Sequence, residues 1–174
     1  MSPLHPLILL FGLFFQITNG LSIGSYLAAY GPTTPSAWSA ALSPFSHLQF
    51  VLGISLFHLG LLANYYHDDA LRLIRTRYAA RSTSKEGKKG AEKHYEIPTA
   101  GLFKVVLYPH YLAEWVEWFG FWMAAGWGCV PARCFFLNEV AAMLPRAVRG
   151  KRWYVERFGA DKVGRRKAVI PGVW

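Results

Sequence analysis

The sequence predicts an all-α membrane protein, a polytopic helix bundle of about four hydrophobic segments within one 174-residue domain. Three observations predict it. Hydrophobic residues make up 53% of the chain and charged residues 17%, below the ~25% of a soluble domain. Residues 1–67 contain no Lys, Arg, Asp or Glu, and all 19 basic residues follow them. A water-soluble surface needs charge over so long a stretch, whereas a chain dissolved in lipid does not. Finally, several apolar runs approach or exceed the length needed to cross roughly 30 Å of hydrocarbon.

The elements follow in order. The first segment covers about 6–30 and the second about 45–66. Between them "GPTTPSAWSAALSP" is an uncharged loop rich in Pro, Gly, Ser and Thr. The third segment covers about 103–128 and the fourth about 131–144, joined by a turn at "GCVPAR". The fourth is short for a span, so a tilted helix or a re-entrant hairpin with the third is expected. The N-terminal stretch lacks a basic flank and is too long for the apolar part of a secretory signal peptide. No internal repeat is visible.

Charge sets the orientation. Eight basic residues lie in a loop at 67–100 and nine in a tail at 146–174. Positive charge favours the cytosolic side, which places both regions, and both termini, in the cytosol. Within the loop, "ARSTSKEGKKGAEKHYE" has no apolar period and reads as a flexible insert. Cys129 and Cys134 are too few for a disulfide framework and match no zinc pattern, so both read as small apolar helix residues.

The basic face narrows the partners. Membrane lipids with anionic headgroups attract such residues at ~1 kcal/mol each. Nucleic acid is not expected, because neither a recognition helix nor an aromatic-basic sheet motif is present. A phosphate-bearing ligand would suit the arginines, whose planar guanidinium binds phosphate in two-pronged fashion. No Gly-rich dinucleotide fingerprint follows a strand, so a nucleotide site would have to be built in another way.

Two helical faces carry chemistry. In "GLLANYYHDDALRLIR", Asn64, Asp68, Arg72 and Arg75 are spaced by four, four and three and so share a face. They read either as contacts to a ribose, phosphate or amide, or as a capped helix end with an Asp68–Arg72 pair. In "LYPHYLAEWVEWFGFWMAAG", His110, Glu114 and Glu117 share a face at spacings of four and three. Charge at bilayer depth costs at least ~2.5–3.5 kcal/mol, so these groups need a partner, a cavity or a ligand. They lack the Glu-x-x-His repeat of di-iron bundles, and no metal site is expected. Between the two faces, "YEIPTAGLF" is a shaped loop: the residue before Pro98 is extended, and Gly101 allows a sharp turn.

The stretches "NYYHDDALRLIR", "YEIPTAGLFKVVLYPHYLAEWVEWFGFWMAAG", "PRAVRGKRWYVERFG" and "RRKAVIPGVW" occur in this order, after "TNG...GSYL". Together they resemble the C-terminal part of the steroid 5α-reductase family, which includes polyprenol reductases and is related to trans-2-enoyl-CoA reductases. The resemblance covers nearly the whole chain. It implies a multi-span endoplasmic reticulum enzyme that uses NADPH to reduce a carbon–carbon double bond conjugated to a carbonyl in a steroid or other lipid enone. It assigns cofactor contacts to Asn64, Asp68, Arg75, Tyr95, His110, Glu114, Arg146 and Tyr154, with Arg72 and Glu117 as second choices. Arg75 and Arg146 suit phosphate; Asn64 and Glu114 suit amide or ribose groups.

Two departures from the family pattern stand out. Members normally carry about three further spans ahead of "PLHPLILL", and the Glu and Tyr that meet the substrate carbonyl lie there. Catalytic residues are therefore unassigned in this sequence. The chain reads as a truncated gene product, a short relative, or part of a site completed by a partner chain that supplies those spans. Second, the family usually has a His before its Lys/Arg-Trp-Tyr, where this chain has Gly150. Two other function classes compete: a non-catalytic membrane relative binding cofactor, lipid or a partner, and a membrane methyltransferase of the isoprenylcysteine type using S-adenosylmethionine. The Tyr-x-Ile-Pro and Glu-x-x-Glu-Trp combinations favour the reductase.

Overall fold

A computed structural model describes residues 5–41, 44–83 and 95–173. Its helices are α1 (Pro6–Tyr30), α2 (Pro35–Ala41), α3 (Pro44–Thr83), α4 (Pro109–Ala125), α5 (Val130–Phe158) and α6 (Ala160–Val163), with a 3-10 turn at Gly101–Lys104. Most of the expected flexible insert lies outside the described residues. The all-α expectation holds.

Prolines punctuate the starts. Pro6 occupies the first turn of α1, where a missing N–H costs nothing, and His5 Nδ1 accepts from the Leu7 amide at 3.3 Å. Thr34 caps α2, its hydroxyl accepting from the Ala37 amide at 3.1 Å. The stop of α1 is local too: the Gly31 amide bonds the Leu27 carbonyl at 2.8 Å.

Helices α1 and the stretch Ser46–Arg77 of α3 are long and apolar enough to cross a membrane. A core helix of a soluble protein would be mostly buried; the apolar window of α1 has no buried residue, and that of α3 only 11%. Leu10, Phe11 and Phe14 of α1 are each more than 60% exposed.

The helix bounds differ from the hydrophobic segments in three places. The loop expected at 67–100 is helical as far as Thr83, because α3 continues past its apolar part. Its uncharged part, 44–67, spans ~36 Å at 1.5 Å per residue, enough for a bilayer, so the helix carries its charged end beyond it. The third segment is not α-helical from 103, and its α-helix begins only at Pro109. Pro109 fixes the first turn of α4 and holds the residue before it out of the helical region. The fourth segment does not end at 144: α5 runs through Pro145 to Phe158, ~43 Å.

The chain divides into two compact units. The first comprises Met1–Phe57 and Trp118–Asn138. In it α3 and α4 touch backbone to backbone. A Cβ on Gly53 would stand 2.5 Å from the Ala124 nitrogen and 2.8 Å from the Gly120 carbonyl oxygen. Lipid gives apolar helices little reason to associate, so such close approach through small residues supplies the packing. Gln49 donates to the Met123 carbonyl at 2.8 Å, and Tyr26 to the Gly128 carbonyl at 2.7 Å.

The second unit comprises His58–Glu117 and Glu139–Trp174. Its core is formed by the strap 95–108, the last turns of α5 and the tail. Phe103, Val106, Ala147 and Val169 are fully buried, and Leu107, Val163 and Ala168 nearly so. Each large apolar side chain contributes ~1.5–3 kcal/mol. The tail returns to pair with the strap: Leu107 donates to the Lys167 carbonyl, Tyr108 to that of Ala168, and Lys167 to that of Val105, at 2.9, 2.9 and 3.0 Å. The backbone groups of this non-helical stretch are thereby satisfied, as burial requires.

Candidate functional site

All ten residues singled out from the sequence fall in the second unit, drawn from α3, the strap, α4 and α5. The unit is built so that they can meet. A Cβ on Gly60 of α3 would stand 2.6 Å from the Glu117 Cα and 2.7 Å from the Ala113 carbonyl oxygen. Glycine at that position lets α4 lie against α3. Asn64, one turn further along, then hydrogen-bonds the Glu117 carboxylate. Glu117 is 8% exposed, and the Asn64 amide is the partner its burial requires. The pair reads as a polar link between helices, which leaves Glu117 less free for a ligand.

Glu114 is half-buried and stands in the field of three other carboxylates, Glu139, Glu117 and Asp68. His110 lies within electrostatic reach of Asp68, His67 and Arg75. Its ring leans on Tyr111 at 4.6 Å, Tyr108 at 5.7 Å and Phe103 at 6.2 Å between centroids. The His110 Nδ1 is buried and has no hydrogen-bond partner among the described residues. A buried polar atom without a partner marks a place where a ligand group or water fits.

Arg75 is exposed at the far end of this face, and its charge reaches both His110 and Tyr154. Burial pushes the Tyr154 phenol above its ordinary value, and the Arg75 guanidinium pulls it part of the way back. Tyr154 therefore keeps its proton at neutral pH and can donate a hydrogen bond. Arg146 is exposed about two turns beyond Glu139 on the same face of α5, and it offsets the Glu139 charge. Tyr95, at the start of the strap, stacks edge-on against Trp153 at 4.8 Å. Arg72 is exposed and adds no contact to the group among the described residues. The described residues contain no cluster able to hold a metal ion.

Gly150 has a structural account. The hydroxyl of Tyr108 occupies the place where a side chain at 150 would begin, so any Cβ there would overlap the phenol. Tyr108 also stands 5.2 Å from Tyr111 and 6.3 Å from Tyr154 between ring centroids. In this chain a tyrosine from the end of the strap fills the space beside Gly150 of α5.

Sequence reasoning missed three members of this region. Glu139 is half-buried beside Glu114, and the rule that flagged carboxylates in the third segment applies equally to one in the fourth. His67 and Tyr108 had no such signal, because their partners lie 35 and 42 residues away in sequence.

The family model described as 3-oxo-5-alpha-steroid 4-dehydrogenase matches residues 2–174. An uncharacterised protein of Schizosaccharomyces pombe is 36% identical over 98% of this chain and 58% of its own length. The 3-oxo-5-alpha-steroid 4-dehydrogenase 2 of Sus scrofa is 34% identical over 97% of this chain and 58% of its own. Steroid 5-alpha-reductase DET2 of Solanum lycopersicum is 35% identical over 71% of this chain and 42% of its own. The chain thus spans little more than half the length of the relatives it matches end to end. A family match across all but the first residue, on an all-α bundle with two helices fit to cross a membrane, makes the chain a member of the 3-oxo-5-alpha-steroid 4-dehydrogenase family.

Proposed function

We propose that this chain forms the cofactor-holding part of a membrane oxidoreductase that reduces a carbon–carbon double bond conjugated to a carbonyl in a steroid or related lipid, with NADPH as the reductant. One observation carries the reading. The polar residues that the family resemblance assigns to the cofactor belong to one compact unit, and several act on one another. The buried His110 Nδ1, without a hydrogen-bond partner among the described residues, supports a ligand there.

In this reading Arg75 and Arg146 bind phosphate groups, each at an exposed helical position that a ligand can reach. Asn64 and Glu114 hold amide or ribose groups, the former alongside its link to Glu117. His110 offers Nδ1 to a polar group of the cofactor, and Tyr154 donates its phenolic hydrogen. Asp68 and Tyr95 complete the wall. NADPH, when held by these residues, would supply a hydride to the β carbon of the enone, and an acid that polarises the carbonyl oxygen would favour that transfer and the protonation of the α carbon. That acid is expected from the spans that family members carry ahead of the matched region, in the same polypeptide or a partner chain. The membrane is taken as that of the endoplasmic reticulum from the family resemblance, and the charge asymmetry of the sequence supports placing both basic regions and both termini on its cytosolic side.

The test is direct. Arg75→Ala, Glu114→Ala and Arg146→Ala should each weaken NADPH binding while the variants melt as the parent does. Unchanged affinity in all three would remove the site assignment.

A further inference from the structure

His67 stands where the charge-free run of α3 meets Asp68, and its side chain is 4% exposed. Both ring nitrogens are engaged. Nδ1 lies 2.6 Å from the Ala63 carbonyl oxygen, and Nε2 lies 3.1 Å from the Leu102 amide nitrogen. A carbonyl only accepts and an amide only donates, so a single tautomer satisfies both: hydrogen on Nδ1, a lone pair on Nε2. The ring is boxed edge-on by Tyr66 at 5.1 Å and Phe103 at 5.5 Å.

The strap is shaped to meet this nitrogen. Gly101 turns with φ +52°, and a Cβ there would stand 2.9 Å from His67 Nε2 and 2.8 Å from the Tyr66 ring. Glycine is required both for the turn and for the close approach. The strap is thus tied at two points: Tyr95 at its start leans on Trp153 of α5, and Leu102 near its middle hangs from His67 of α3.

We propose that His67 is a positioning residue for the cofactor: as a neutral imidazole it clamps the strap to α3 through the Leu102 amide, and by doing so holds Tyr95 and the Asp68 face in register for binding. The inference rests on the reading of this unit as a cofactor site. His67 itself touches no ligand in this account; it acts through the strap.

Two near-isosteric variants separate the clamp from simple packing. In His67→Gln the side-chain oxygen stands near the place of Nε2 and can accept from Leu102. In His67→Asn the amide stands near Nδ1 and can reach only Ala63. Amide exchange over 95–104, measured on the full chain in detergent without cofactor, should be about tenfold faster in His67→Asn and near the parent rate in His67→Gln. Exchange over 147–158 serves as the internal standard for folding. NADPH affinity should follow the same order, about tenfold weaker in the Asn variant and restored in the Gln variant. Equal exchange in the two variants overturns the clamp. Separated exchange with equal cofactor affinity overturns the positioning role. Failure of the parent chain to bind NADPH overturns the site reading and the positioning role with it, while the exchange contrast still judges the clamp.

Discussion

At the scale of single residues, small side chains decide what the polar ones can do. Gly150 carries no side chain, and the Tyr108 hydroxyl fills the space one would take. Gly150→Ala should destabilise the protein by ~1–3 kcal/mol, the usual range for forcing atoms into a filled site. Tyr108→Ala in the same chain should remove most of that penalty, and a double-mutant cycle on thermal unfolding measures the coupling. Additive effects would mean that the two positions do not share space. Gly101→Ala should cost at least ~1 kcal/mol from its left-handed backbone alone, before the overlap with Tyr66 and His67 is counted. Sequence spacing exposed Asn64, Asp68 and Arg75 as one face, because a helix repeats locally. It could not pair Tyr108 with Gly150 or His67 with Leu102, since those partners meet only after the strap and the tail have folded.

At the scale of elements, the contacts that build the site run through backbone rather than through large side chains. Gly60 brings α3 against α4 at Ala113 and Glu117, which is what allows Asn64 to reach the Glu117 carboxylate. Gly60→Ala should therefore lower thermal stability by ~1–3 kcal/mol. By contrast, Gly24 of α1 has nothing within 4 Å of its Cβ position, and Gly24→Ala should fall within ~0.5 kcal/mol of the parent. Equal melting of the two variants would contradict the close-packed crossing. Apolar length and the uncharged N-terminal run made the two long helices legible in sequence. The strap was legible only in part. "IPTAG" signalled a shaped loop, but the bridge from Val106 to Lys167 is made by backbone groups 61 residues apart and leaves no side-chain signature.

At the scale of the molecule, the chain joins an uncharged N-terminal region to a charged unit that carries every residue assigned to the cofactor. The family match extends over both, and full-length relatives are longer. Family and class were readable from ordered motifs, because the residues that carry the resemblance are concentrated in short local stretches. No catalytic acid was readable, because the resemblance expects that group in spans ahead of these motifs. The central claim is that the charged unit holds NADPH through Arg75, Glu114 and Arg146. The most direct measurement is NADPH binding to the purified chain in nanodiscs, by calorimetry, for the parent and the three Ala variants. The account predicts saturable binding by the parent and ~10–100-fold weaker binding in Arg75→Ala and Arg146→Ala, the loss expected for charge-assisted hydrogen bonds to phosphate. Binding that is absent in the parent, or equal in all four proteins, would contradict it.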